Sequence, residues 1–238
     1  MSLSAKPLAP DLSVDKPSSL AFLLDLTIYI LIMFLIREVH FSQLPFIANG
    51  LFWSLSTLLV ATVLMRVRRV SWREIGLFKP ASYKKALSAT VYTLIFAVAP
   101  ILAFQFLKEK LGLQVAPDTS GEQAAANFGD LSGNWGLFFT IIPFIWLQSS
   151  LEEVLDRGFL INWIERTMSS TWFATVIAVT AQAVIFGFRH SRDLSERSIT
   201  VALIGLGMGV AYIAFNRNLW PLIGAHCLLN TASMVGRV

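Results

Sequence analysis

Three short polar clusters interrupt an otherwise apolar chain, and their residue types are those of acid–base chemistry. The first, Glu152-Glu153-Val154-Leu155-Asp156-Arg157, directly continues an apolar run that starts at Trp135. The second, Phe186-Gly187-Phe188-Arg189-His190, closes the next apolar run, and the third, His226-Cys227-Leu228-Leu229-Asn230, lies inside the last one. Two of the chain's three histidines are in these clusters. On a helix, Glu153 and Arg157 stand four residues apart with the acid first, the better orientation for an intrahelical ion pair. Such a pair neutralises itself and fixes the helix's rotation, which leaves Glu152 facing another direction and free for chemistry. His226 and Asn230 are also four apart, so both project from one helical face. Two donors on one face can meet at a single substrate oxygen.

What must position these groups follows from composition. Of 238 residues, 55% are hydrophobic and 14% charged, with mean hydropathy +0.63. A soluble domain carries about a quarter charged residues. A disordered chain, a nucleic-acid-binding module and an ordinary cytosolic enzyme are excluded, leaving an integral membrane protein of one domain. The single cysteine, Cys227, rules out a disulfide framework and any Cys-based zinc site. The net charge of +4 gives no argument for nucleic acid, because the basic residues flank apolar segments and set topology.

Seven stretches approach the roughly 20 apolar residues a spanning helix needs. They run 19–36, 44–65, 86–107, 135–151, 172–188, 199–215 and 219–235, and the only formal charge inside them is Asp25. The expected fold is all-α: a polytopic transmembrane bundle of about seven spans with its site in a membrane-embedded cavity. It forms a single domain over 19–238, with the motifs in 135–235. Residues 1–18, polar and containing Pro7, Pro10 and Pro17, are expected to be a flexible tail. They lack the basic start and cleavage site of a signal peptide, so the first stretch is read as a retained helix.

The segment from Arg66 to Lys85 carries seven basic residues against one acid, Glu74. By the positive-inside rule it is cytoplasmic, and two preceding spans place the N-terminus there as well. A turn at Met168–Thr171 would bring two clusters to one level. Glu152 lies 18 residues before Ser170 and His190 lies 20 after it. At helical rise these are roughly 27 and 30 Å from the turn. His226, only seven residues beyond Leu219, is left at another depth by straight helices and calls for a tilt, a kink near Pro221 or a re-entrant path.

The three clusters, in this order, resemble the CAAX prenyl protease and bacteriocin-processing family of intramembrane endopeptidases. The family pattern is two glutamates, three residues and an arginine; phenylalanine, three residues and a histidine; then histidine, three residues and an asparagine. Here these stand as Glu152-Glu153 with Arg157, Phe186 with His190, and His226 with Asn230. The resemblance implies a multi-pass peptidase, in a bacterial plasma membrane, that hydrolyses membrane-associated peptides or lipidated proteins of the prenylated CAAX type. It implies Glu152 as general base with His190 holding the water, His226 and Asn230 as oxyanion donors, and Glu153, Arg157 and Phe186 in support. It implies no cofactor. Asp156 departs from the aromatic or apolar residue usual at its position. Four residues from Glu152, it either crowds that carboxylate or competes with Glu153 for Arg157.

Two other readings stand beside this one. Glu152, Glu153, His190 and His226 are of the types that ligate zinc, although the one-helix, two-histidine spacing of zinc proteases is absent. A non-catalytic immunity or scaffold protein of the same fold is the other, with Asp156 as the feature favouring it.

Overall fold

A computed structural model describes residues 18–117, 127–168 and 171–238, and the chain there forms seven helices. They are α1 (Ser19–Leu35), α2 (Phe46–Val67), α3 (Tyr83–Leu111), α4 (Trp135–Thr167), α5 (Trp172–Ser191), α6 (Glu196–Ala214) and α7 (Leu219–Val235). Six are long and apolar enough to cross a membrane, and α7, at 17 residues, is the shorter apolar one. The all-α multi-pass expectation is met. The tail expected at 1–18 lies outside the described residues except for Ser18, whose hydroxyl caps α1 at the Ala21 amide. Ser169 and Ser170 of the expected α4–α5 turn also lie outside them.

The helices are sorted as hydrocarbon demands. On α1, Leu20, Leu24, Ile28, Leu31 and Leu35 are exposed along one stripe, while Phe22, Asp25, Tyr29 and Met33 are buried along the other. Asp25 is paired with Arg68 at 2.7 and 2.8 Å and accepts from Trp163 Nε1 at 3.3 Å. Close approach elsewhere depends on glycine. A Cβ on Gly207 of α6 would overlap the Phe96 carbonyl of α3, and one on Gly187 of α5 would fall 2.6 Å from Ala202 Cβ of α6.

The fourth apolar stretch ends at Leu151, and α4 continues past it through the charged cluster to Thr167, 33 residues in all, as the helical count from Glu152 to the Met168–Thr171 turn requires. That is roughly 50 Å of helix. Its cluster therefore lies mid-helix, and α4 packs against α1, α2, α5 and α7. Residues Glu153–Ile161 are wound as a π-helix, wider than the α-helix on either side, and every one of the nine is buried. Such windings are rare and occur mostly at functional sites.

The depth of His226 is settled by where α7 begins. The segment between α2 and α3 folds inward: Ile75 is fully buried, its carbonyl accepts from the Tyr212 hydroxyl at 2.8 Å, and the Gly76 carbonyl accepts from the Leu219 amide at 3.0 Å. Leu219 is thereby set against Gly158, where a Cβ would sit 3.1 Å from Leu219 Cδ1. The helix α7 starts partway along α4, so seven residues carry His226 to the level of Glu152.

The Gly207–Phe96 contact is with backbone, which cannot rotate away. Gly207→Ala should lower thermal stability in detergent by about 1–3 kcal/mol. Gly136→Ala, whose new Cβ would meet only Asn134 Oδ1 at 3.6 Å, should leave it unchanged or raised. Scanning fluorimetry of the two purified variants makes the comparison.

Candidate active site

The site starts from a cost. Burying an ion pair is tolerable only when geometry is good, and breaking one costs about 3–5 kcal/mol. In the middle of α4, Glu153, Asp156 and Arg157 are all wholly shielded. Arg157 Nη1 donates to Glu153 Oε1 at 3.0 Å along the helix. The same oxygen lies 2.7 Å from His226 Nδ1 on α7. Asp156 goes elsewhere: Arg189 of α5 grips it with both terminal nitrogens, at 3.1 and 2.7 Å. The expectation that Asp156 crowds Glu152 or competes for Arg157 is thus replaced by a third arrangement, in which it holds its own arginine.

Glu152 is left as the carboxylate without a cation in contact. Its Oε1 lies 3.9 Å from His190 Nε2 and its Oε2 lies 3.8 Å from His226 Nε2. Among the described residues it makes no hydrogen bond; both gaps exceed hydrogen-bond length. His190 Nδ1 lies 2.7 Å from the Phe186 carbonyl. A carbonyl only accepts, so Nδ1 carries a hydrogen, and in the neutral ring Nε2 presents a lone pair toward Glu152. The Phe186 ring packs among the charged groups, 4.4 Å from the Arg157 guanidinium carbon, 5.3 Å from that of Arg189 and 4.6 Å from the His190 ring. Cation–π contact of this kind stabilises guanidinium groups shielded from water.

Asn230, one turn beyond His226 on α7, donates from Nδ2 to Ser149 Oγ at 2.8 Å. Ser149 itself bonds back to the Ile145 carbonyl of α4 at 2.8 Å. The second Nδ2 hydrogen of Asn230 is unused by that bond. Glu152, Phe186, His190, His226 and Asn230 all line one cavity of about 450 Å³. The structure thus brings together all four residues singled out as chemically active, although they are spread over 78 positions, and places Glu153 and Arg157 directly behind them.

Sequence reasoning missed three contributors. Arg189 adjoins His190 in a basic run that reads equally as an interface, and nothing local reveals Asp156 as its partner. Arg37, beyond α1, donates to the Arg189 carbonyl at 2.9 Å. Ser149 was weighed only as a nucleophile, and its observed part is to hold Asn230. As for metal, no three His, Cys, Asp or Glu side chains among the described residues converge closely enough to hold an ion.

Removing one partner of the α4–α5 pair should cost more than removing both. Asp156→Asn and Arg189→Met should each lower thermal stability strongly, and the double variant should lose clearly less than the sum. A double-mutant cycle on unfolding in detergent tests this; additive losses would mean the pair does not join the two helices.

Comparison with known proteins was made on this framework. Residues 134–232 match the family model described as type II CAAX prenyl endopeptidase Rce1-like, a span that holds all of α4, α7 as far as Ala232 and every residue of the three clusters. The resemblance read from those clusters is borne out over that span. No curated protein and no solved structure matches the chain.

Proposed function

We propose that this multi-pass membrane protein, Rce1-like over residues 134–232, is an intramembrane endopeptidase that activates water with Glu152 and His190. The observation that carries the reading is the pair of open gaps at Glu152, 3.9 Å to His190 and 3.8 Å to His226. Separations of this size between polar atoms suit a bridging water. Water seated there faces two acceptors, a carboxylate oxygen and the His190 lone pair.

In the proposed reaction the water oxygen bonds to the peptide carbonyl carbon while Glu152 takes a water proton. The carbonyl oxygen becomes the oxyanion, held by Asn230 Nδ2–H and His226. When the His226 ring carries both hydrogens, Nε2 donates as well, and Glu153 against Nδ1 offsets that charge. A donor of this type is worth about 3 kcal/mol in the transition state. The carbon–nitrogen bond then breaks as the proton passes from Glu152 to the leaving amine, giving a carboxylic acid and an amine. Glu153, Arg157 and Phe186 act by positioning. The substrate is a peptide segment of a membrane-associated protein, with prenylated CAAX-type tails among the candidates. The membrane is proposed to be a bacterial plasma membrane, with the N-terminus cytoplasmic, as the basic α2–α3 segment favours.

Glu152→Gln keeps the size of the side chain and removes its basicity. It should abolish cleavage of a peptide panel in detergent while leaving thermal stability near wild type. Asn230→Ala should lower kcat far more than it changes KM, because the donor acts mainly in the transition state. Wild-type cleavage should withstand chelators. Loss with chelator and recovery with zinc would replace the water-activating carboxylate by a metalloprotease, and binding without cleavage by the wild type would favour a scaffold.

A further inference from the structure

The residues that line the cavity gather toward one end of the bundle, its mouth face, and that end can be read from the helices that supply them. On α1 and α2 the lining residues are Arg37, Phe46 and Trp53, around the α1–α2 connection. On α5 and α6 they run from Phe186 and His190 at the end of one helix to Arg197 and Ile204 at the start of the next. On α7 they begin at His226 and continue to the last turn, and on α4 none lies beyond Glu152. Successive spans run in opposite directions, so the end of α1, the start of α2, the start of α4, the end of α5, the start of α6 and the end of α7 share one face. No lining residue comes from the Arg66–Lys85 segment.

The opposite face is closed. Below Glu152, Phe159, Leu160, Ile161 and Trp163 of α4 are wholly buried, together with Ile75 from the inserted segment, Tyr212 and Leu219. Arg217 there clasps Glu165 at 2.8 Å through two nitrogens. This closed face is also the basic one. Seven Lys or Arg residues lie between Arg66 and Lys85, and Arg166 and Arg217 lie at the two other connections. On the mouth face no connection exceeds two such residues outside the helices' buried Arg189. Of those, Lys108 is bound to Glu196 and Arg192 to Glu38. Short loops rich in Lys and Arg stay in the cytoplasm.

We propose that the cavity is entered from the non-cytoplasmic face, so that it takes segments of membrane-anchored polypeptides exposed at that surface. Among the candidate substrates this entry side disfavours tails held on the cytoplasmic leaflet, which the packed stretch of α4 from Glu152 to Thr167, roughly 22 Å of helix, separates from the site. The nature of the guest as a peptide rests on the endopeptidase reading; the side of entry does not.

Single cysteines in a Cys227→Ser background test the side directly. Ser132→Cys marks the rim ahead of α4, Ser233→Cys the cavity lining on α7, and Ala81→Cys the basic segment, all at exposed positions. In intact cells a membrane-impermeant maleimide should label the first two, and Ala81→Cys only after permeabilisation. The reverse pattern overturns the proposal. In a second arm, two single-span reporters carry the same juxtamembrane peptide, one on each side of the membrane. Cleavage of the outer reporter by wild type and not by Glu152→Gln supports the proposal, and cleavage of the inner one alone overturns its substrate class. Outer labelling with neither reporter cleaved leaves the side of entry standing and counts against the endopeptidase reading.

Discussion

Two buried ion pairs, Glu153–Arg157 and Asp156–Arg189, govern how this bundle comes together. A charge left alone at membrane depth is expensive, so a helix carrying Glu153, Asp156 and Arg157 is tolerable only when their partners arrive with it. One pair closes within α4. The other requires α5 to dock at a fixed height and rotation, because a two-nitrogen grip on one carboxylate has little angular freedom. Glu153 then adds a third helix through His226. The side chains that line the cavity are thus gathered by the same contacts that make the charges tolerable, and Phe186 fills the space among them with a ring rather than a void.

Backbone geometry makes these contacts possible. The π-helical run lies over Glu153–Ile161, where the pairs are formed and where Gly158 admits Ile75 and Leu219 against the helix. The inserted α2–α3 segment sets the starting height of α7. It is tied to the α6–α7 turn by hydrogen bonds from the Tyr212 hydroxyl and the Leu219 amide, both to its backbone carbonyls. A segment that reads as a surface loop therefore determines the level at which His226 meets Glu152.

Much of this is written in the sequence, and the remainder is absent for physical reasons. Hydropathy locates all seven helices, since a spanning helix must satisfy its backbone internally and face lipid with apolar side chains. Spacing finds the Glu153–Arg157 pair because both residues are local to one helix. The equal depth of Glu152 and His190 follows from counting residues about a short turn, and the observed 3.9 Å agrees with that count. Two features resist such reading. The Asp156–Arg189 pair joins residues 33 apart in sequence, with no periodicity to link them. The inward path of Ile75 is masked by the basic residues around it.

Pairing also explains why Glu152, rather than any neighbouring acid, is left without a partner in contact. Glu153 spends its bonded oxygen on Arg157 and His226, and Asp156 spends both of its oxygens on Arg189. Had Asp156 been apolar, Arg189 would be a buried cation close to Glu152 and would draw that carboxylate into an ion pair of its own. Holding Arg189 on Asp156 prevents this and keeps the positive charge one step behind the site. Glu152 then faces the cavity with imidazoles on either side at distances too long for direct bonding. The unusual acid in the motif is, on this argument, what allows the motif's first glutamate to stay unclaimed.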